Sequence, residues 1–257
     1  MENTKNLNRP TVNIKNMNEQ EKTQPQCEGV ETSGERQHFS EEYYLIQAMN
    51  NLQLTSRTAK GVIDISASPD KGGKIHEGLS ENDIINTAKT NFSETIRHLY
   101  NERDRQFKNS EELRLFIEDI AQRINKGITQ KKFLIRSGTD STKHPYTNIE
   151  DLEREMGQFY NELFTRLQSP DNDPKRLAGW IEYRIDLTDH FFSDGCGKVA
   201  KAISGWVLMR FGHQLPSYHS RAELYQHGPD FVRGTDLGSD QKSFEHWIEY
   251  YKSLFNS

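Results

Sequence analysis

The chain is organised around the stretch His190-Phe191-Phe192-Ser193-Asp194-Gly195-Cys196-Gly197-Lys198-Val199-Ala200-Lys201. Apolar residues then recur at the spacing i, i+3, i+4, i+7 and i+8, namely Val199, Ala202, Ile203, Trp206 and Val207. This spacing is typical of one buried helix face. It predicts a helix that begins near Gly195, with Asp194 as its N-cap and the glycines permitting a sharp turn of the backbone.

The predicted helix start has the chemistry of an anion site. Its first N–H groups lack partners within the helix, and the helix dipole favours negative charge there. Lys198 and Lys201 are three residues apart and share a face beside it. Asp194 is a candidate Mg²⁺ ligand, because Mg²⁺ is held by one or two carboxylates together with substrate phosphates. His190 is a candidate general base over the same pocket, and a purely structural histidine is the alternative.

Two common phosphate-binding motifs do not fit this stretch. A P-loop needs glycine at position 192 and Ser or Thr at position 199, where the sequence has Phe192 and Val199. The dinucleotide fingerprint fits nominally as Gly195-x-Gly197-x-x-Ala200. It also requires a preceding strand and an acid about 20 residues later, whereas the approach is helical and Leu215 stands at that distance.

The stretch resembles the core motif of the Fic family, His-x-Phe-x-Asp/Glu-Gly-Asn-Gly-Arg-x-x-Arg. Five positions match at the required spacing, namely His190, Phe192, Asp194, Gly195 and Gly197. Three positions depart, because Cys196 replaces Asn, and Lys198 and Lys201 replace Arg. The order of predicted elements over residues 80–257 is similar to the Fic fold as well. The expected fold is therefore mainly α, a Fic-like helical bundle with a small β-hairpin flap.

The resemblance implies an activity and a set of roles. Fic proteins transfer AMP, or another phosphate-containing group, from a nucleotide such as ATP to a Ser, Thr or Tyr hydroxyl of a target protein. By this resemblance His190 accepts the hydroxyl proton and Asp194 holds Mg²⁺. The residues expected to bind the nucleotide are Gly195, Cys196, Gly197, Lys198, Lys201 and, in a later helix, Tyr225.

The three departures leave several functions open. Lysine keeps the positive charge of arginine but lacks its bidentate fork, and Cys196 cannot supply the amide donor of asparagine. Losing such a donor typically costs roughly 10²–10³ in rate where it acts in the transition state. The sequence is compatible with a pocket remodelled for another donor, with a slow enzyme, or with a catalytically impaired Fic-like nucleotide-binding or interaction module. Upstream of the core motif, no segment matches the inhibitory Ser/Thr-x-x-x-Glu-Gly/Asn motif of many Fic proteins.

A predicted hairpin precedes the core motif. Residues 132–136 read as a strand, residues 137–141 have turn chemistry, and residues 143–146 can return as a second strand. The resemblance implies that this hairpin is a flap, which holds an extended target segment by main-chain pairing. The expected target-clamping residues are Leu134, Ile135 and Arg136.

The chain divides into three predicted regions. Residues 1–38 are polar without any period and are predicted to be a disordered tail. Residues 39–79 are predicted to form an N-terminal helix and loop extension, and residues 80–257 the catalytic domain. Capping residues and prolines predict helix starts at Ser80, Asn109, Thr147, Pro174 and at Ser217 or Ser220.

Composition limits the classes of partner and location. The 257 residues carry a net charge of −5, which argues against nonspecific nucleic-acid binding. The sequence has no run of 18 apolar residues and no apolar segment near Met1, so we expect neither a membrane span nor a conventional secretory signal. Two cysteines in different contexts fit a reducing compartment. The predicted location is the cytoplasm, with translocation as an effector as the alternative.

Overall fold

The computed structural model of the chain describes residues 39–55, 80–129, 134–137, 146–169, 173–229 and 240–255. Its helices are α1 (Glu41–Thr55), α2 (Glu81–Asn101), α3 (Ser110–Ile124), α4 (Ile149–Gln168), α5 (Pro174–Glu182), a π-helix (Tyr183–Thr188), α6 (Cys196–Arg210), α7 (Arg221–Gln226) and α8 (Asp240–Ser253). The prediction of a mainly α fold is confirmed. The predicted tail and the loop of the N-terminal extension lie outside the described residues.

Helix α6 lies at the centre of the fold. It contacts α1, α2, α3, α5 and the π-helix. Its residues from Val199 to Met209 are buried, except for Lys201, which is partly exposed. The sequence predicted one buried face, whereas the helix is buried on nearly all sides. The reason is that helices surround it, so the small residues between the apolar ones are covered too.

Local signals located the helix starts at Ser80, Asn109, Pro174 and Ser220 and misplaced the one at Thr147. Ser80 Oγ accepts a hydrogen bond from the Asp83 N–H, and the Asp83 carboxylate accepts one from the Ser80 N–H, as the predicted capping box requires. Asn109 Oδ1 accepts from the Glu112 N–H at 2.9 Å. The predicted box at Thr147 is wrong, because α4 begins after Asn148 without a side-chain cap. The Thr147 hydroxyl instead donates to Asp189 Oδ1 at 2.7 Å.

Helix α5 continues directly into the π-helix. Asp173 caps α5 by accepting hydrogen bonds from the N–H groups of Lys175 and Arg176, and Pro174 follows in the first turn. The wider turn of the π-helix ends at Thr188, and the Asp189 N–H reaches back to the Arg184 carbonyl at 3.0 Å. Such turns are frequent at functional sites. This one brings the chain to His190.

The described residues of the predicted flap pair with the motif stretch. Ile135 forms an antiparallel bridge with Phe192. The Arg136 N–H donates to the Phe191 carbonyl at 3.0 Å, and the Ser193 N–H donates to the Leu134 carbonyl at 2.9 Å. The described part of the segment, residues 134–137 with Tyr146, contains no hairpin. The predicted turn from residue 138 onward and most of the return strand lie outside the described residues.

No helix among the described residues combines the length and the apolar composition that crossing a membrane requires.

Candidate active site

Gly195 is the N-cap of α6 and has a left-handed backbone, with φ of +71°. The prediction that Asp194 caps this helix is wrong, since no side chain caps α6. A Cβ atom at position 195 would lie 2.9 Å from Asn125 Oδ1 and 3.0 Å from Lys198 Cε. Both the backbone conformation and the lack of space therefore require glycine at this turn.

Asn125, which is the C-cap of α3, holds the motif loop from the opposite side. Its Nδ2 donates to the Asp194 carbonyl at 3.2 Å and to the Ala121 carbonyl at 3.1 Å. The side chain is 1% exposed, and its Oδ1 has no hydrogen-bond partner in the part of the chain that the structure describes. Sequence reasoning missed Asn125, because it is 69 residues away from Asp194 and shares no motif with it.

A second residue that the sequence did not reveal, Asp186, lies at the start of α6. A Cβ atom at Gly197 would be 3.1 Å from Asp186 Oδ2, so the carboxylate lies directly against the first turn of the helix. Asp186 is 6% exposed. The helix dipole favours a negative group in this position. The same carboxylate occupies the end of the helix at which a phosphate is expected to bind.

Tyr225 on α7 contacts this carboxylate. Its hydroxyl donates to Asp186 Oδ2 at 3.4 Å, and the guanidinium of Arg221 lies 4.3 Å from the centre of its ring. Burial raises the pKa of Tyr225 well above its ordinary value, and the negative charge of Asp186 adds to the effect. Tyr225 therefore lies beside the start of α6, as a neutral hydroxyl donor.

The ring of His190 contacts Asp186 and Tyr146. Its Nδ1 lies 3.3 Å from the backbone carbonyl of Asp186, and the ring stacks on Tyr146 with 4.2 Å between ring centres. The carbonyl accepts but cannot donate, so Nδ1 carries the hydrogen and Nε2 is the acceptor nitrogen of the neutral ring. His190 also has φ of +53°, which is uncommon for a residue with a side chain.

Arg136 binds backbone carbonyls at and next to His190. Its Nε donates to the His190 carbonyl at 2.9 Å, and its Nη2 donates to the carbonyls of Asp189, at 3.0 Å, and Thr147. The guanidinium of Arg136 thus faces the protein interior, and the residue is buried. Asp189 in turn bonds to Arg184 and Thr147, and burial raises the pKa of its carboxyl although Arg184 opposes the change.

Cys196 closes the motif loop on itself. Its Sγ accepts from the Phe192 N–H at 3.3 Å and donates to the Phe192 carbonyl at 3.1 Å. Both side chains are buried. The thiol therefore bonds to the backbone of the loop.

The two lysines of the motif have different surroundings. Lys198 is 6% exposed, and within the described residues its ammonium forms no hydrogen bond or ion pair. The Lys201 ammonium lies 3.4 Å from Glu182 Oε2 in an ion pair on the inner side of α6. The structure therefore places Lys198 beside Gly195, and it gives Lys201 a protein carboxylate as its partner.

The acidic residues do not form a ready-made metal cage. Among the described residues, no group of three or more His, Cys, Asp or Glu side chains is arranged to hold a metal ion. Mg²⁺ is nevertheless commonly bound through one or two carboxylates and the phosphates of a substrate. Asp194, partly exposed just before Gly195, fits that kind of site.

The fold is similar to that of solved Fic-domain proteins. A Fic-domain-containing signalling protein from Bacteroides thetaiotaomicron aligns with a TM-score of 0.56 and 15% identity, over 84% of this chain and 85% of that one. IbpAFic2 covalently tethered to Cdc42 aligns with a TM-score of 0.54 and 15% identity, over 85% of this chain and 64% of that one. A histidine-to-alanine variant of IbpAFic2 in complex with adenylylated Cdc42 aligns with a TM-score of 0.51 and 13% identity, over 84% of this chain and 69% of that one.

No protein-family model and no curated protein matches the sequence. The likeness to Fic proteins is therefore one of fold, with the five matching motif positions at the start of its central helix. The resemblance stated from the sequence is supported by the structure of the whole domain.

Proposed function

We propose that the chain transfers AMP, or another nucleotide or phosphate-containing group, from a nucleotide donor to a hydroxyl side chain of a target protein. One observation carries the proposal: the His190 ring is held by the Asp186 carbonyl, through Nδ1, at the start of α6. In the neutral form of a ring held in this way Nε2 is the acceptor nitrogen, and His190 lies shortly before a helix N-terminus, which is where a phosphate binds best.

The proposed step is a displacement at phosphorus with His190 as general base. Nε2 takes the proton of a Ser, Thr or Tyr hydroxyl while the hydroxyl oxygen forms a bond to the donor's phosphorus. The bond between that phosphorus and its leaving group breaks, and the leaving group departs with the bonding electron pair. With ATP as donor, the products are an AMP ester of the target and pyrophosphate.

The start of α6 supplies the phosphate contacts in this proposal. The N–H groups of the first turn have no acceptor within the helix, and because the Asp186 carboxylate lies against Gly197, a phosphate has to approach them beside that carboxylate. Lys198 adds an ammonium without a described protein partner. Asp194 is the residue that would hold Mg²⁺, and the ion would neutralise part of the phosphate charge. Tyr225, beside Asp186, is the proposed neighbour of the nucleotide base.

A protein is the proposed acceptor because two of the similar structures are complexes with Cdc42. In this chain, residues 134–136 are the proposed clamp for an extended target segment. Leu134 and Arg136 direct main-chain groups towards the motif stretch, and the Ile135 carbonyl accepts from Ser193 Oγ at 2.9 Å, so the main-chain group proposed to pair with a target is the Ile135 N–H.

A catalytically impaired nucleotide-binding or interaction module is the second candidate. Two contacts favour it, because Cys196 bonds to the loop backbone and Lys201 is paired with Glu182. Both residues replace phosphate-binding residues of the Fic motif. The oriented His190 favours the enzyme, since a module that only binds has no use for a base.

The test is a donor panel. The full chain is incubated with α-labelled ATP, GTP, UTP or CTP, with Mg²⁺ and a protein lysate, and heat-denatured chain is the control. We expect label in a protein band with at least one donor and none in the control. Donor binding without transfer from any nucleotide would contradict the enzyme and leave the binding module.

A further inference from the structure

Lys201 is part of a buried polar cluster on the inner side of α6. Its ammonium lies 3.4 Å from Glu182 Oε2 and 4.8 Å from the centre of the Tyr218 ring. The Lys201 and Glu182 side chains are 9% and 3% exposed. An ammonium in this position faces a carboxylate and an aromatic ring of its own chain, both of which attract it.

Glu182 is the centre of this cluster. Its carboxylate accepts hydrogen bonds from Ser204 Oγ at 2.7 Å, from Tyr218 Oη at 2.7 Å and from Tyr251 Oη at 3.4 Å. These three donors are neutral, so Lys201 supplies the positive charge that a buried carboxylate requires. Removing Lys201 from the cluster would leave Glu182 buried without a counter-ion, which is strongly unfavourable.

The space next to Lys201 is too small for a phosphate. A cavity there has room for about one water molecule. Its wall consists mainly of apolar or neutral residues of α1, α2, α6 and the segment after α6, including Ala48, Asn51, Phe92, Leu215 and Pro216. Lys201 can therefore reach an anion only by leaving Glu182.

The charges at the start of α6 differ from those around Lys201. Lys198 lies beside Gly195, and Asp186 lies against Gly197. A chain of phosphates at this end meets the first-turn N–H groups and one ammonium, while the Asp186 carboxylate repels additional negative charge. The first-turn N–H groups and the Lys198 ammonium thus attract phosphate, whereas Lys201 does not take part.

On the basis of the proposed function, we infer that Lys201 is the counter-ion of Glu182 and not a ligand of the donor, so that the site recognises a diphosphate and gains nothing from a third phosphate. The donor class is a nucleoside diphosphate or a nucleotide whose diphosphate carries another group. Glu182 is a positioning residue in this inference, because it holds the second lysine of the motif away from the donor.

The test compares ADP with ATP, and CDP with CTP, by titration calorimetry on the full chain with Mg²⁺. The variants are K201M, the charge-removing pair E182Q/K201M, and K198M. We expect each diphosphate to bind within about twofold of its triphosphate, and the double variant to match wild type. K198M should weaken the binding of both the diphosphates and the triphosphates by roughly 10- to 100-fold, because a charged hydrogen bond is lost.

Stability provides a readout that needs no nucleotide. K201M should lower the melting temperature more than E182Q/K201M does, because the single variant alone leaves a buried carboxylate without its cation. If K201M fails to fold, the double variant still gives the binding comparison.

Opposite results would overturn the inference. A triphosphate that binds at least about tenfold more tightly than its diphosphate, with the preference lost in E182Q/K201M, would make Lys201 a phosphate ligand. If the proposed function itself is wrong, the titrations show no binding of any nucleotide to wild type. In that case the inference, which rests on that function, is wrong as well.

Discussion

Among single residues, Gly195 is subject to two independent constraints, a left-handed backbone and a Cβ position only 2.9 Å from Asn125 Oδ1. We expect Gly195→Ala to lower the free energy of unfolding by at least about 1–2 kcal/mol, the cost of a left-handed conformation for a residue with a side chain. Urea denaturation measures the change.

Gly157 in the middle of α4 is the matched control. A Cβ atom there meets nothing within 4 Å. Gly157→Ala should raise the free energy of unfolding by about 0.5–1 kcal/mol, because alanine favours the helix. Equal losses in the two variants would show that the conformation at Gly195 has no special cost.

The residue scale also shows what the sequence can and cannot reveal. The patterns Ser80-x-x-Asp83 and Asn109-x-x-Glu112 predict caps from the sequence alone, and the structure shows the hydrogen bond in each case. The prediction of Asp194 as a cap comes from where the apolar helix pattern begins, but Gly195 takes the cap position with a left-handed backbone. Asn125 and Glu182 were missed, because their partners are 69 and 19 residues away. Contacts of that kind depend on how the helices pack.

At the scale of helices, α5 and α8 approach each other closely at Gly179. A Cβ atom there would lie 2.9 Å from Ile248 Cδ1 and from Tyr251 Cδ1, and Trp247 Nε1 donates to the Gly179 carbonyl at 2.8 Å. Gly179→Ala should therefore lower the free energy of unfolding by about 1–3 kcal/mol, the usual cost of overfilling a core.

Gly205 in α6 is the comparison for Gly179, because it is also buried in a helix. Its nearest neighbour is the end of the Leu215 side chain at 3.4 Å, which can move slightly. Gly205→Ala should change the free energy of unfolding by less than about 1 kcal/mol, with helix propensity offsetting the contact. The same loss in both variants would argue against a close α5–α8 approach.

The sequence predicts a helix that starts at Pro174, and the structure divides the helical segment that follows into α5 and the π-helix. The apolar spacing of Leu177, Trp180 and Ile181 is that of an α-helix, and it indicates no change at Tyr183. Hydrogen bonds to other segments hold residues in and just after the π-helix, such as Arg184 to Glu155 and Thr147 to Asp189. The apolar spacing of the segment gives no information about those long-range hydrogen bonds, although it does predict that His190 follows the helix.

At the scale of the whole molecule, two histidines set the expected response to acid. Burial lowers the pKa of both His98 and His213 below the ordinary value, and Arg123 and Lys175, respectively, lower it further. At these two residues the folded protein thus binds fewer protons than the unfolded chain. The stability that these residues contribute is complete above about pH 6.5 and is lost as the pH falls below it.

The measurement is the urea midpoint between about pH 7.5 and pH 5 for wild type and for H98Q/H213Q. We expect the midpoint of wild type to fall towards acid pH and that of the double variant to fall less steeply. Identical slopes would mean that other groups produce the acid sensitivity.

The central claim concerns the whole site, namely that a Fic-like fold orients His190 as a general base over a bound donor. Its most direct test measures both labelled transfer and nucleotide affinity for His190→Ala, with the exposed His219→Ala as control. We expect His190→Ala to lose at least roughly 100-fold in transfer rate while its nucleotide affinity stays within about twofold, because a base acts in the transition state. His219→Ala should resemble wild type in both. Transfer by His190→Ala at the wild-type rate would contradict the claim.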